Sequence, residues 1–252
     1  MDGMSYLELV QFNTLDVRAG ITVQGGEIIS DDHRTAVTRF DADIREGDEF
    51  TEVDILQALR SPLPHEDALV AFVALALRWL YLSQIHTADF FGLRMGDGLV
   101  YHRWAARIAG GEWLSDHVFY QAPLYPYVLG IVYAVAGDSV LTVLLIQAVM
   151  GTAACVLIAA ATHAFFGARA ALLAGLMLAV FAPAIFLEGL IQKTALGGLL
   201  TAAFVTGLGA LVRRPDGWRW FATGIVLGLL ALTRENALVF IVPTLIWLFI
   251  GH

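Results

Sequence analysis

The sequence is poor in charged residues and in cysteine. Of its 252 residues only 15% are Asp, Glu, Lys or Arg, whereas 58% are hydrophobic. Soluble domains average about 25% charged and about 45–50% apolar residues, so both departures indicate a membrane protein. The single cysteine, Cys155, lies in an apolar run, which excludes a disulfide within the chain.

Motifs of several enzyme and binding classes are also missing. The chain has no nucleotide-binding glycine motif, no CxxC pair and no histidine pair with metal-ligand spacing such as HxxxH. It has no clustered basic face, so nucleic acid is not expected as a partner. The stretch from Met1 to Pro64 lacks the basic end and apolar core of a secretory signal.

Charge is distributed unevenly along the chain. Residues 1–66 hold five Arg, no Lys and fourteen Asp or Glu, whereas residues 67–252 are close to neutral. This predicts an acidic extramembrane N-terminal segment, 1–66, and a membrane-embedded part, 67–252. The weak alternation from Leu15 to Gly26 predicts a short hairpin, and Thr51 to Leu59 fits one or two helical turns. A loosely ordered tail and a small regulatory module both remain open for this segment.

Long apolar runs predict an all-α, polytopic membrane protein with about six transmembrane helices. Arg78 lies inside the first run and is expected to face the bundle interior or to extend to the interface. The stretch from Pro123 to Ala136 has only fourteen residues, with two Pro and three Tyr, which favours a helix lying flat in the interface. The six predicted crossings are 68–85, 140–166, 168–187, 195–212, 220–232 and 237–250.

Arginine in the short turns sets the predicted orientation. Turns 166–169 and 213–219 together hold four Arg, and short Arg-rich turns face the cytoplasm. With the N-terminus also cytoplasmic and Pro123–Ala136 not crossing, 87–139 becomes an external juxtamembrane helical loop. The chain stops directly after the last apolar run, so we expect an N-terminal fragment of a multi-pass protein of the inner or plasma membrane.

A polar, aromatic stretch from Arg94 to Tyr127 interrupts these apolar runs. It contains Asp97, which is followed at helical spacing by Tyr101 and His102. A carboxylate beside the membrane can take a proton from a hydroxyl or bind a metal that steadies a phosphate. The competing explanation is a helix N-cap, a common position for Asp.

Ionisable residues recur in the later connections on the same predicted side of the membrane. Glu188 and Lys193 lie in one connection, and Arg234-Glu235 lie in another. Cations placed there can hold a phosphate by charge-assisted hydrogen bonds. Alternatively, Lys193 and Arg234 extend to the interface and Glu235 pairs with Arg234.

Several segments together resemble a known family. In order, they are G-D-x-x-x-Y-H-x-W-A-x-x-I-A-x-G-E-W, F-Y-Q-A-P-L-Y-P-Y-x-L-G, G-D-S, F-F-G-A-R-A-A-L and G-L-L-A-L-T-R-E-N-A-L. Over about residues 67–252 the chain is similar to polytopic glycosyltransferases of the C-type fold, the group with dolichyl-phosphate-mannose-protein mannosyltransferases and aminoarabinose transferases.

The resemblance implies an enzyme that moves a sugar from a polyprenyl-phosphate donor to a glycan, lipid or protein acceptor at the outer membrane face. The family's essential acid maps onto Asp97, although Gly98 stands where a second acid is common. The resemblance implies phosphate contacts at Lys193 and Arg234, and a divalent metal ion with Glu188 as a ligand. The other expected substrate-binding residues are Tyr101, His102 and Tyr125. The aromatic residues of 112–113 and 120–127 fit either an interfacial belt or a wall for a sugar ring or lipid head group.

Two other functions compete with this interpretation. A polytopic transporter or channel would use Arg78 and Lys193 along a path, with its polar groups near the midplane, but the sequence shows no internal repeat. A non-catalytic membrane subunit that binds lipid would not need its polar loops to converge. A glycosyltransferase should place Asp97, Glu188 and Arg234 around one cavity.

Overall fold

The computed structural model describes residues 21–24, 27–29, 49–50, 66–89, 91–92, 94–114 and 121–250. The chain divides into two compact units, Met1–Leu63 and Pro64–His252. We call the second the membrane unit. The helical turns predicted for 51–59 and the polar residues Asp116, His117 and Tyr120 lie outside the described residues.

The first unit contains a three-stranded antiparallel sheet. Strand β1, Ile21–Gln24, lies between β2, Glu27–Ile29, and β3, Glu49–Phe50. Thr22, Val23 and Gln24 pair with Ile29, Ile28 and Glu27, so β1 and β2 are antiparallel neighbours. Of the range Leu15 to Gly26, for which alternation predicted a short hairpin, only 21–24 is described, and it forms the strand β1.

The regular secondary structure described in the membrane unit is helical. A helix satisfies its backbone groups internally, and the long helices here have mainly apolar side chains, as a bilayer requires. A 3-10 helix, Glu235–Phe240, precedes the last α-helix. The α-helices are α1 Glu66–Ile85, α2 Gly96–Ala109, α3 Leu124–Ala136, α4 Val140–Phe166, α5 Ala168–Ala179, α6 Ala182–Glu188, α7 Thr194–Arg213, α8 Gly217–Ala231 and α9 Ile241–Ile250.

Three of the described helices, α1, α4 and α7, are long and apolar enough to cross a membrane. Helices α5 and α6 make a fourth span if they act as one, although they are bent by 52°. Helix α8 has 15 residues, about 22 Å at 1.5 Å per residue, against a hydrocarbon core of about 30 Å. The all-α membrane fold is confirmed, whereas the predicted count of six crossings is not.

Helix α4 is the centre of the membrane unit. It packs against α7, α5 and α1, while α2 packs against α3. Small residues permit the close approach: a Cβ on Gly209 of α7 would lie 2.8 Å from the Ala164 Cβ of α4. Close packing through small residues is the usual means of helix association in membranes.

The connections between helices lie at two ends of the membrane unit, one at each end of α4. Gly137 and Gly167, with φ of 76° and 86°, make the turns before and after it, a conformation that favours glycine. At the C-terminal end of α4, His163 bonds Arg213 of α7 at 2.6 Å; we call this the Arg213 end. The opposite end, where α1 finishes and α2 begins, is called the Asp97 end.

Candidate functional site

Connections far apart in the sequence meet at the Asp97 end. The Leu124 N–H donates to the Leu232 carbonyl at 3.0 Å, which joins the start of α3 to the end of α8. Arg234 Nη2 donates to Thr194 Oγ1 at 3.3 Å, which joins the same region to the start of α7. The membrane unit thus gathers the loops that the sequence placed on one side.

Asp97 lies in the first turn of α2, and its side chain is exposed. The N-cap of this helix is Met95, so Asp97 does not act as the cap. Gln121 Nε2 donates to Asp97 Oδ1 at 3.1 Å, which orients the carboxylate. A carboxylate in a first helical turn is also favoured by the helix dipole.

Tyr101 lies one turn after Asp97 and is completely buried. Its ring meets that of Tyr125 edge to face, with centroids 5.1 Å apart. Burial first, and then the nearby Asp97 and Glu235 carboxylates, raise the pKa of Tyr101 to about 12 against the opposing Arg234. Tyr101 therefore stays protonated and belongs to the packed layer beneath the charged residues.

Lys193, Arg234 and Glu235 form a charged group at the start of α7. Lys193 is the N-cap residue of α7 and the only lysine in the chain. The pKa of Glu235 is lowered, first by its own backbone N–H, then by Lys193, the Ala122 N–H and Arg234. Two cations beside the positive end of a long helix make a surface that favours an anion.

His102 is engaged on both sides of its ring. Nε2 lies 2.9 Å from Arg94 Nη1, and Nδ1 lies 3.0 Å from the Tyr133 hydroxyl. A guanidinium can only donate, so Nε2 accepts and Nδ1 carries the proton. In this arrangement His102 ties α2 to α3, and neither nitrogen faces a substrate.

Tyr125 also serves packing in this structure. It is only 3% exposed, and its hydroxyl donates to Gln147 Oε1 of α4 at 2.7 Å. Its expected contact with substrate is therefore not what the geometry shows. Tyr125 instead connects the aromatic layer under Asp97 to α4.

Glu188 lies apart from Asp97, against Arg78 of α1. Its two oxygens accept from Arg78 Nε at 2.6 Å and from Nη2 at 3.1 Å. Arg78 is 2% exposed, which confirms that it faces the bundle interior. Glu188 is therefore paired away from Asp97, and the expected convergence of Asp97, Glu188 and Arg234 on one cavity stays a prediction.

The residues present do not fit a metal at Glu188. Arg78 already binds both Glu188 oxygens, and its positive charge would oppose a cation at the same carboxylate. No group of three or more His, Cys, Asp or Glu side chains positioned for a metal occurs within the described parts of the chain.

A cavity of about 320 Å³ borders the Asp97 end. It lies between the end of α1, the start of α4 and the end of α6, and its lining is mostly apolar. Gly98, next to Asp97, lines it, as do Gln192, next to Lys193, and Arg94. The Nε of Arg94 has no hydrogen-bond partner among the described residues. An apolar space thus reaches the neighbours of both Asp97 and Lys193.

Sequence reasoning missed two amides that hold this site. Gln121 bonds Asp97, and Gln147 bonds Tyr125 and the chain before Lys193. Gln121 was visible in the Tyr-Gln-Ala-Pro-Leu-Tyr segment but had no assigned role. Gln147 gave no signal beyond being a lone polar residue in an apolar run, since its partners are distant in sequence.

Comparison with protein families gives one match in the chain. The model of the dolichyl-phosphate-mannose-protein mannosyltransferase family matches residues 120–252, just over half of the 252 residues. The matched part includes Tyr125, Lys193 and Arg234, whereas Asp97 precedes it. No curated protein and no solved structure matches the chain.

The match and the structure agree on the class of protein. The matched residues contain two of the three helices long enough to cross a membrane, α4 and α7. The resemblance noted from the loop and helix motifs is thereby confirmed at the level of the family. The chain belongs to the dolichyl-phosphate-mannose-protein mannosyltransferase family, and it is an integral membrane glycosyltransferase with a lipid-linked sugar donor.

Proposed function

We propose that the Asp97 end is the reaction centre and that Asp97 is the general base of glycosyl transfer. The observation that carries this is an exposed, oriented carboxylate at the same end of the membrane unit as two cations from distant loops. Asp97, Arg234 and Glu235 all lie near Tyr101, and Lys193 and Arg234 both lie near Glu235. In the proposal this end faces outward, and the acceptor is a hydroxyl of a glycan, lipid or protein. The donor is a sugar linked to a polyprenyl phosphate.

The donor phosphate is proposed to lie at the start of α7. Lys193 and Arg234 supply charge-assisted hydrogen bonds, and the α7 dipole favours the same anion. The Glu235 carboxylate already interacts with these two cations. An incoming phosphate would compete with Glu235 for Lys193 and Arg234. This competition weakens phosphate binding and so keeps it reversible.

The apolar part of the donor is proposed to use the cavity beside Gly98 and Gln192. A polyprenyl chain has to remain in an apolar environment while its phosphate reaches the membrane surface. The cavity is lined by the exposed side chains of Phe186 and Leu190 and by the neighbours of Asp97 and Lys193. In the proposal the sugar then lies between the base and the cations.

The proposed reaction is an inverting displacement at the anomeric carbon. The acceptor oxygen forms a bond to that carbon while the bond to the phosphate oxygen breaks. Asp97 takes the proton of the acceptor hydroxyl, and the polyprenyl phosphate leaves with the bonding electron pair. Lys193 and Arg234 stabilise the added negative charge of the leaving group. The scheme uses this chain's own side chains and no metal step.

A transfer assay on membranes carrying the full-length protein tests this function. A labelled polyprenyl-phosphate sugar is the donor, and product is measured for wild type, Asp97→Asn and Glu112→Gln. Glu112 is another exposed acid of the same loop region and is the matched control. Loss of a general base lowers the rate by about 10²–10⁴-fold, so Asp97→Asn should lose transfer and Glu112→Gln should keep it. Retained turnover in Asp97→Asn removes Asp97 from this role.

A further inference from the structure

A buried amide holds the segment that leads to Lys193. Gln147 of α4 is 2% exposed, and its Nε2 donates to the carbonyls of Glu188 and Leu190, each at 2.7 Å. Its Oε1 accepts from the Tyr125 hydroxyl at 2.7 Å. The amide thus uses both donors and its oxygen. Because carbonyls only accept, no other orientation of the amide satisfies these partners.

Tyr125 completes the hold on the same segment. Its hydroxyl donates to the Gln147 oxygen and so supports the amide that holds the Glu188 and Leu190 carbonyls. The Glu188 side chain is fixed in addition by Arg78. The segment 188–192 is therefore held at two alternating carbonyls by Gln147 of α4, which Tyr125 of α3 supports. We call this arrangement the 188–192 clamp.

The clamp lies between the two halves of the proposed reaction centre. On one side the segment continues into Lys193, the first residue of the α7 terminus. On the other side Ile191 lies against α2, since a Cβ on Gly98 would be 3.2 Å from the Ile191 carbonyl oxygen. Gly98 is the residue after Asp97. A shift of the clamped segment would therefore move Lys193 relative to Asp97.

We propose that Gln147 is a positioning residue for glycosyl transfer, which sets the place of Lys193 relative to Asp97 through the 188–192 clamp. This inference rests on the function proposed above. The amide cannot be replaced by a group of similar size without loss. Met donates no hydrogen bond, and Glu would set a carboxylate against two carbonyl oxygens, leaving buried polar groups unsatisfied.

A double-mutant cycle tests whether Gln147 acts by positioning Lys193 or only by stabilising the fold. Misplacement of a reacting group by about 1 Å can cost about 10²-fold in rate, so Gln147→Met should lower kcat/KM by roughly 10- to 100-fold. In a Lys193→Met background the same change should cost less than about threefold, because groups acting as one unit are not additive. Thr152→Val is the control, since the Thr152 hydroxyl bonds only the Ala148 carbonyl of its own helix.

Tyr125→Phe is the second variant, in case Gln147→Met fails to accumulate in membranes. It keeps the ring in the core and removes the hydroxyl from the clamp. It should show the same loss and the same dependence on Lys193. Equal losses in the wild-type and Lys193→Met backgrounds would overturn the proposal for both variants.

The lone lysine also gives a readout that needs no turnover. An amine-reactive ester modifies Lys193 at a rate set by its surroundings, and chymotryptic peptides identify the modified site. Gln147→Met should change this rate by at least about threefold, as expected for a coupled neighbour, whereas Thr152→Val should not. An unchanged rate refutes the positioning role. Failure of the wild-type protein to transfer sugar refutes the proposed function instead, and the modification rates still decide whether Gln147 fixes Lys193.

Discussion

Two groups of ionisable residues in the membrane unit differ in whether they are buried or exposed. In the interior, Arg78 and Glu188 pair at 2.6 Å, with side chains 2% and 10% exposed. At the Asp97 end, the Asp97 and Glu235 side chains are exposed, and Lys193 and Arg234 are half-buried. The interior pair is closed, and the group at the end is open to a ligand. Position in the helix bundle, not charge itself, thus separates ionisable residues that are paired and buried from those that a ligand can reach.

The Arg78–Glu188 pair fits into a space that a glycine of α4 leaves open in the bundle. A Cβ on Gly151 of α4 would fall on the Glu188 carboxylate, so glycine is needed there. The Gln147 amide bonds the Glu188 carbonyl from the same helix face, four residues away. Charged residues inside a membrane are usually paired or functional. Here Arg78 and Glu188 are explained by their pairing with each other. Arg78 therefore no longer supports the hypothesis of a transport path.

Breaking the interior pair should give the largest effect on stability. Glu188→Gln removes the charge that compensates Arg78, and breaking a buried pair costs about 3–5 kcal/mol. We expect a large fall in the Tm of the detergent-solubilised protein and lower accumulation in membranes. Replacing both residues together, as Arg78→Met with Glu188→Leu, should recover much of this loss, because no unpaired charge remains. A Glu188→Gln protein as stable as wild type would contradict a structural role.

The sequence was sufficient to predict a helical membrane protein and to predict which segments lie near Asp97. Apolar runs located α1, α4 and α7, because a membrane span requires length and hydrophobicity, both visible in composition. Asp97, Lys193 and Arg234 were placed on one side by counting crossings, and the structure brings their segments to one end of the membrane unit. The count of six crossings is not confirmed, yet the segments that carry these residues do lie at the same end of the membrane unit.

The roles of Glu188, Tyr125 and His102 were not predictable in the same way. Each depends on a partner far along the chain: Arg78, Gln147 and Arg94, respectively. Periodicity shows which face of a helix is apolar, but it does not show which polar groups meet across helices. A buried acid that pairs and an exposed acid look alike in sequence, so Glu188 was grouped with the predicted site residues.

Neutralising the open group should affect transfer more than stability. Arg234→Gln or Lys193→Gln removes a charge-assisted hydrogen bond to phosphate, about 1.5–3 kcal/mol, so kcat/KM for the donor should fall roughly 10- to 100-fold. Tm should change little, in contrast to Glu188→Gln. Arg219→Gln is the control, because Arg219 pairs with Asp216 away from the Asp97 end. Equal losses for Arg219→Gln would show that the effect is general charge, not phosphate contact.

The smallest effect should come from His102, which belongs to neither the interior pair nor the open group. Burial lowers the pKa of His102, and Arg94 lowers it further against the opposing Asp138 carboxylate. The folded protein therefore binds this proton less readily than the unfolded chain, whose His titrates near pH 6.5. Stability from the neutral ring is complete above that pH and is lost as pH falls through the lower folded pKa.

The measurement is Tm against pH for wild type, His102→Gln and His86→Gln. Protonation of Nε2 would set an N–H against the Arg94 guanidinium, so wild type should lose a little Tm on acidification that His102→Gln does not lose. His86 is exposed at the end of α1 and is the control. Because the acidic first unit titrates in all three proteins, only the difference between the curves reports His102. Parallel curves for wild type and His102→Gln would mean that the Arg94–His102–Tyr133 contacts do not depend on the neutral ring.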